Sequence, residues 1–118
     1  MTESLKQKPW GVRSKVWLEI EGQPIMGEGR NKILKAIAQH GSMLDAARAT
    51  GISYRRLRGA IRVMEDAVGH SLVRSFRGGQ NGGGAALTQA AFELMACFEQ
   101  VSAGIQQEMD VRLDQVMK

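Results

Sequence analysis

The chain has 118 residues, 43% of them hydrophobic and 24% charged, with a formal net charge of +4. That is the composition of one ordinary globular domain with a modest core. It excludes a disulfide scaffold or a cysteine-rich metal centre, since Cys97 is the only cysteine, and no apolar run approaches the length of a membrane span.

No apolar leader opens the sequence, so the protein is expected to be cytoplasmic. Its charge is unevenly spread. Ten basic residues stand against three acidic ones between residues 29 and 87, a net +7, which leaves −3 for the rest. Most of the ten are arginine, the side chain suited to bidentate phosphate and guanine contacts. A basic middle points to a polyanion partner for that part of the chain.

Residues 1–12 read as a flexible polar leader with Trp10 anchoring its end. Polar and apolar residues then alternate over 13–21, with Val16, Leu18 and Ile20 on one face, which is a strand signal. Gly22, Gln23 and Pro24 form a turn, and Ile25 and Met26 return as a short second strand. Trp17, on the other face, is expected to pack against a neighbouring helix.

The spacing predicts a helix over 30–40, with Ile33, Leu34, Ile37 and Ala38 inward and Gly41 ending it. His40 suits the negative end of that helix better than a metal site. Ser42 and Asp45 fit the S-x-x-D form of a capping box and open a second, short helix that closes over 46–50.

Residues 46–68 organise the rest. Gly51 supplies a turn, Ile52 plugs the space between two helices, and Ser53 caps the second of them. Along that second helix Leu57, Ile61, Met64 and Val68 share one face, while Arg55, Arg58 and Arg62 share the opposite one. A short helix, a glycine turn and a second helix with an apolar and an arginine-rich side make a helix-turn-helix. An arginine face by itself is equally well a solvated surface. The segment behind the helix is more specific. It has a strand candidate over 71–76, a run with five glycines over 77–84, and a return over 85–87. That is the layout of a wing.

The glycine run is a poor phosphate loop, because it lacks a G-K-[ST] and no acidic residue is placed for a ribose or a magnesium ion. Thr88 reads as the N-cap of a helix reaching about residue 117. Leu94, Phe98, Val101, Ile105, Met109, Leu113 and Val116 recur along it at threes and fours, close to a heptad stripe. Some 30 residues of helix span about 45 Å. A small domain cannot cover all of that stripe, so the surplus is expected to pair with a second copy in a two-fold dimer. Cys97, beside Phe98, is expected to be a small buried hydrophobe.

These elements place the chain in a mainly α fold with small β-hairpins (α+β), a winged helix-turn-helix with a long C-terminal dimerisation helix. The expected divisions are a leader over 1–12, the winged domain with its preceding hairpin over 13–87, and the dimerisation helix over 88–118. On the recognition helix the candidate contacts are Ser53, Tyr54, Arg55 and Arg58 for base edges, with Arg58 leading for guanine, and Arg56 and Arg62 for phosphates. On the wing they are Arg77, Gln80 and Asn81. On the dimer face they are Leu94, Phe98, Val101, Ile105, Met109 and Leu113. No nucleophile–base pairing, metal cluster or carboxylate pair is evident, so no enzyme is expected. The expected partners are double-stranded DNA and a second copy of the chain, with no membrane. The competing readings are a protein-docking module and a non-specific architectural DNA-binding protein.

The run GISYRRLRGAIRVMEDAVGHSLVRSFRGGQNGGGAALT also resembles the DNA-binding domain of the ModE-type molybdate-responsive transcription regulators, a LysR-like winged helix. The resemblance rests on G-I-S-Y at 51–54, A-I-x-x-M at 60–64 and G-G-x-x-G-G-G-A-x-L-T at 78–88, and it covers about residues 16–101. It implies a bacterial dimeric regulator binding a pseudo-palindromic operator. Full-length members carry a further pair of small molybdate-binding domains. This sequence stops at Lys118, so no cofactor is expected in this chain and molybdate binding is not expected of it. The recognition helix carries more arginine than the family's version with Lys, Trp and Asp, so its operator is expected to differ.

Overall fold

The computed structural model describes residues 1–77 and 83–118. Residues Trp17–Phe98 make one compact unit, and Met1–Val16 with Glu99–Lys118 make another.

The larger unit opens on an antiparallel hairpin. Taking the helical turn α1 (Glu3–Lys6) of the other unit as the first element, the hairpin strands are β1 (Trp17–Ile20) and β2 (Gln23–Gly27). Their connection is Glu21 and Gly22, not the Gly22-Gln23-Pro24 turn expected. Both residues have positive φ, 51° and 81°, the type I′ pattern whose twist matches that of the strands. Pro24 therefore sits inside β2. The pairing passes from Leu18↔Met26 to Glu19↔Pro24 and skips Ile25. This bulge breaks the alternation of faces, and it explains why two consecutive residues, Ile25 and Met26, are both buried. The expected inner row of Val16, Leu18 and Ile20 is weaker. Leu18 is half-buried within β1, Val16 lies outside the strand, and Ile20 is exposed. Trp17 does not pack under a helix either. It is exposed, and its Nε1–H donates to Glu19 Oε2 at 2.7 Å.

Three helices come next: α2 (Glu28–His40), α3 (Met43–Thr50) and α4 (Tyr54–Val68). On α2 the buried residues are Asn31, Ile33, Leu34, Ala36 and Ile37. Ala38, expected inward, is exposed; its place is taken by Ala36, three residues after Ile33. Arg30 donates to the carbonyls of Pro24 and Ile25 at 3.1 and 2.7 Å and so ties α2 to the hairpin. The Ser42 hydroxyl accepts from Asp45 N at 3.1 Å, the expected cap of α3. The Asp45 carboxylate lies 3.8 Å from Arg48.

A second antiparallel hairpin, β3 (Val73–Phe76) with β4 (Gly84–Leu87), stands behind α4. Its base is tied into the helices, because Ala85 N donates to the Gly41 carbonyl between α2 and α3 at 2.9 Å. The core of this unit joins all of these pieces. Met26, Leu34, Ile37, Leu57, Met64 and Leu72 are fully buried, with Leu87, Met95 and Phe98 close behind.

The last helix, α5 (Gln89–Met117), is a single element of 29 residues. Thr88 caps it and also binds it to the wing, since its hydroxyl accepts from Ala91 N at 3.3 Å and donates to the Ser71 carbonyl at 2.7 Å. The expected dimer stripe divides into two rows. Phe98 is buried in the single chain, and Met109 and Leu113 are half-buried on the same side of the helix as Ser102 and Gln106. Val101 and Ile105 stay exposed, at 39% and 38%, on a neighbouring row with half-buried Leu94. Repeated steps of four in a straight helix rotate a stripe around its axis, so one stripe in the sequence becomes two faces in space. Cys97 falls on the outer side and is exposed, not buried.

In the smaller unit, the segment expected to be a loose leader carries α1. The Trp10 indole N–H donates to the Leu5 carbonyl at 2.6 Å, and the Gln106 side chain donates to the Val12 carbonyl at 2.9 Å. Among the described residues no helix is long and apolar enough to cross a membrane.

Candidate nucleic-acid interface

The turn between α3 and α4 is built by backbone chemistry. Gly51 has φ 75°, the left-handed conformation that glycine adopts without a Cβ penalty. Gly51 N then donates to the Arg48 carbonyl and Ile52 N to the Ala47 carbonyl, at 3.3 and 3.2 Å. This double closure is the Schellman pattern. Ile52, the expected plug, is half-buried. The Ser53 hydroxyl caps α4, accepting from Arg56 N at 3.1 Å. That bond uses one lone pair and leaves the hydroxyl proton free to donate.

Leu57, Ile61 and Met64 lock one side of α4 into the core. All four arginines of the helix are exposed, and they fan out in three directions. Arg55 and Arg62 lie on the outward face, on one line with Gly59, and Arg62 also reaches the wing-side cleft. Arg58 leans to the wing side, where its guanidinium lies 5.8 Å from the centre of the exposed Tyr54 ring, a cation–π contact. It shares a small cleft of about 140 Å³ with Arg62, Glu65, Val73 and Ser75. Arg56 leans the other way. It lines a cleft of about 600 Å³ with Lys32, Ile33, Thr50 and Ile52. Among the described residues none of these four guanidinium groups is held in an ion pair. They put donors and one sign of charge on one surface.

The wing brings Arg74, Ser75, Phe76 and Arg77 to the surface beside this helix, all exposed. Of the three wing candidates, Arg77 is therefore open to a ligand at this surface. Gln80 and Asn81 lie outside the described residues.

One residue of the site carries no motif. Glu65, in the last turn of α4, reaches the base of the wing. Its Oε2 accepts from Leu72 N at 2.7 Å, from Val73 N at 3.2 Å and from the Ser71 hydroxyl at 3.4 Å. The carboxylate clasps the first strand of the wing to the helix. A signal for it exists in the sequence, since an acid near a helix C-terminus opposes the helix dipole and needs another reason to be there. Glu65→Ala is expected to cost about 1–3 kcal/mol by leaving backbone donors without a partner next to buried Leu72. Glu65→Gln, which keeps an acceptor oxygen, should recover most of that loss in a urea denaturation series.

Residues 30–92, more than half of the chain, match the bacterial regulatory helix-turn-helix protein, lysR family. The chain belongs to this family. It is 37% identical over 81 residues to the molybdenum-pterin-binding protein MopA of Rhodobacter capsulatus, covering 69% of this chain and 31% of that protein. It is 36% identical over 85 residues to the DNA-binding transcriptional dual regulator ModE of Escherichia coli K12, covering 72% of this chain and 32% of ModE. The chain therefore spans about a third of the length of these curated relatives. Among solved structures the CbnR DBD–DNA complex matches with a TM-score of 0.56 at 20% identity, covering 77% of this chain and 99% of that one. At that identity the likeness is one of fold. The match to the lysR family takes in α2, α3, α4, the wing and the start of α5, and so includes the helix and hairpin that carry the basic surface.

Proposed function

We propose that this chain is a DNA-binding transcription regulator of the bacterial lysR family, acting as a homodimer on a pseudo-palindromic operator. The observation that carries the reading is α4. Its inner face is fixed in the core, and its outer face offers four exposed arginines without ion-pair partners among the described residues. A two-stranded wing with Arg74 and Arg77 stands beside it. A helix so placed suits a major groove, and the wing suits the adjoining backbone. The CbnR structure is a DNA complex, and ModE is a DNA-binding regulator by name, which supports the same assignment here.

In this reading Tyr54, Arg55 and Arg58 meet base edges. Arg58, steadied by the Tyr54 ring, makes the leading guanine contact. Arg56, Arg62 and Arg77 hold phosphates. The outer row of α5, with Leu94, Val101 and Ile105, supports pairing with a second copy, and the length of that helix sets the distance between half-sites. The activity is binding, with no catalytic step.

The test is selection from a pool of random duplexes at low and near-physiological salt, then sequencing of the bound fraction. A two-fold symmetric motif that persists at the higher salt is expected, and Arg58→Ala should relax one position in each half-site. Binding without a motif that collapses as salt rises would leave only the phosphate contribution, and the regulator reading would be lost.

A further inference from the structure

A glycine inside a helix usually has a reason in the fold: a left-handed φ, a neighbour too close for a Cβ, or a place at a helix end. Gly59 has none of these. It is the sixth residue of the fifteen in α4, its φ is not among the positive ones, and a Cβ built on it would meet nothing within 4 Å. In a helix interior glycine is less favourable than alanine, so this chain carries a destabilising residue that its own packing does not require.

The surroundings of Gly59 are distinctive. It is exposed, and it lies between Arg55 and Arg62 on the line of α4 opposite Leu57, Ile61 and Met64. Arg56 and Arg58 flank it. The middle of the arginine face is therefore a notch with bare backbone as its floor. Gly104, the interior glycine of α5, is equally open, but no arginine cluster surrounds it. Gly29 sits in the first turn of α2, where the penalty is small.

We propose that Gly59 is the point of closest approach between α4 and the duplex. The absent side chain lets the helix backbone sink one methyl group deeper into the major groove, and the surrounding arginines reach the groove walls and base edges from that depth. Gly59 is thus a specificity-determining position, set by what a side chain there would strike. This inference rests on the DNA-binding reading above.

The test uses Gly59→Ala, Gly59→Ser and Gly59→Leu in the full chain, with thermal unfolding and binding to the duplex that the unaltered protein selects. Gly59→Ala is expected to raise the melting temperature by about 3–5 °C while lowering specific affinity roughly tenfold. Gly59→Leu, also more helix-favouring than glycine, is expected to lose about a hundredfold with its melting temperature still at or above that of the unaltered protein. Low-salt binding to unselected duplex should stay within about twofold for all three, since phosphates are met without deep insertion. Stability and binding moving in opposite directions, graded by side-chain size, supports the proposal. A Gly59→Leu protein that binds its operator unchanged overturns it. So does an equal loss for all three variants, which would assign the glycine to backbone freedom instead. Failure of the unaltered protein to select any motif is a different result, and it removes the DNA reading itself.

Discussion

Leu57→Ala is expected to lower stability by about 2–5 kcal/mol and the melting temperature by roughly 10 °C or more. Leu57 is 0% exposed and is the first apolar residue on the inner face of α4. Truncation removes three carbons from a site walled by α4 itself and by core residues of other elements, and a packed interior closes such a hole only in part. The consequence reaches the site, because Arg56 and Arg58 are its immediate neighbours in the same helical turn. The proposed recognition surface, made of long side chains without ion pairs among the described residues, has no rigidity of its own. It takes its geometry from Leu57, Ile61 and Met64 beneath it. Differential scanning calorimetry measures the loss. Binding at a temperature where the variant is still folded separates lost folding from a displaced helix, and affinity there is expected to fall far less than stability.

The same coupling explains which parts of this protein are legible in its sequence. Helix ends are local. Ser42, Ser53 and Thr88 accept from the backbone N–H three residues on, and all three caps are present. The apolar period of α4 is equally local, and its buried residues are among those the spacing names. Legibility fades where the outcome depends on a second element. Whether Phe98 faces a partner or its own core depends on what lies against α5, and spacing along one helix does not contain that. Cys97, one residue away, is exposed for the same reason. Ile20 ends β1 at the turn, paired with exposed Gln23, so a rule of alternating faces places it inward when it is exposed. Glu65 is a clearer case. Its three partners are six to eight residues ahead, and only the fold brings their donors together. On the interface, residue type and spacing single out the arginines as a group. Their division between the wing flank, the outer line and the α2 flank is a property of the assembled helices.

That division leads to a large expected effect on binding. The double variant Arg55→Gln/Arg62→Gln is expected to weaken DNA binding by at least tenfold near physiological salt and to reduce the slope of log K against log salt by about 0.9, the contribution of the one phosphate contact at Arg62. Both side chains are exposed and free of ion pairs among the described residues. Glutamine is also a good helix former. The melting temperature should therefore move little, and lost affinity reports lost contact. Arg62 contributes to this slope as a phosphate contact. Arg55 carries the mixed expectation, since it is named for base edges yet lies on the same outward line. Single variants divide the two roles. If Arg55→Gln lowers affinity equally for selected and unselected duplexes, it is a phosphate contact, and Arg58 alone carries the guanine reading at this end of α4. If it relaxes one operator position and leaves the slope nearly unchanged, α4 lies in the groove with Arg55 on the bases. The helix is then turned so that Gly59 faces the groove floor, which is the orientation its missing side chain requires.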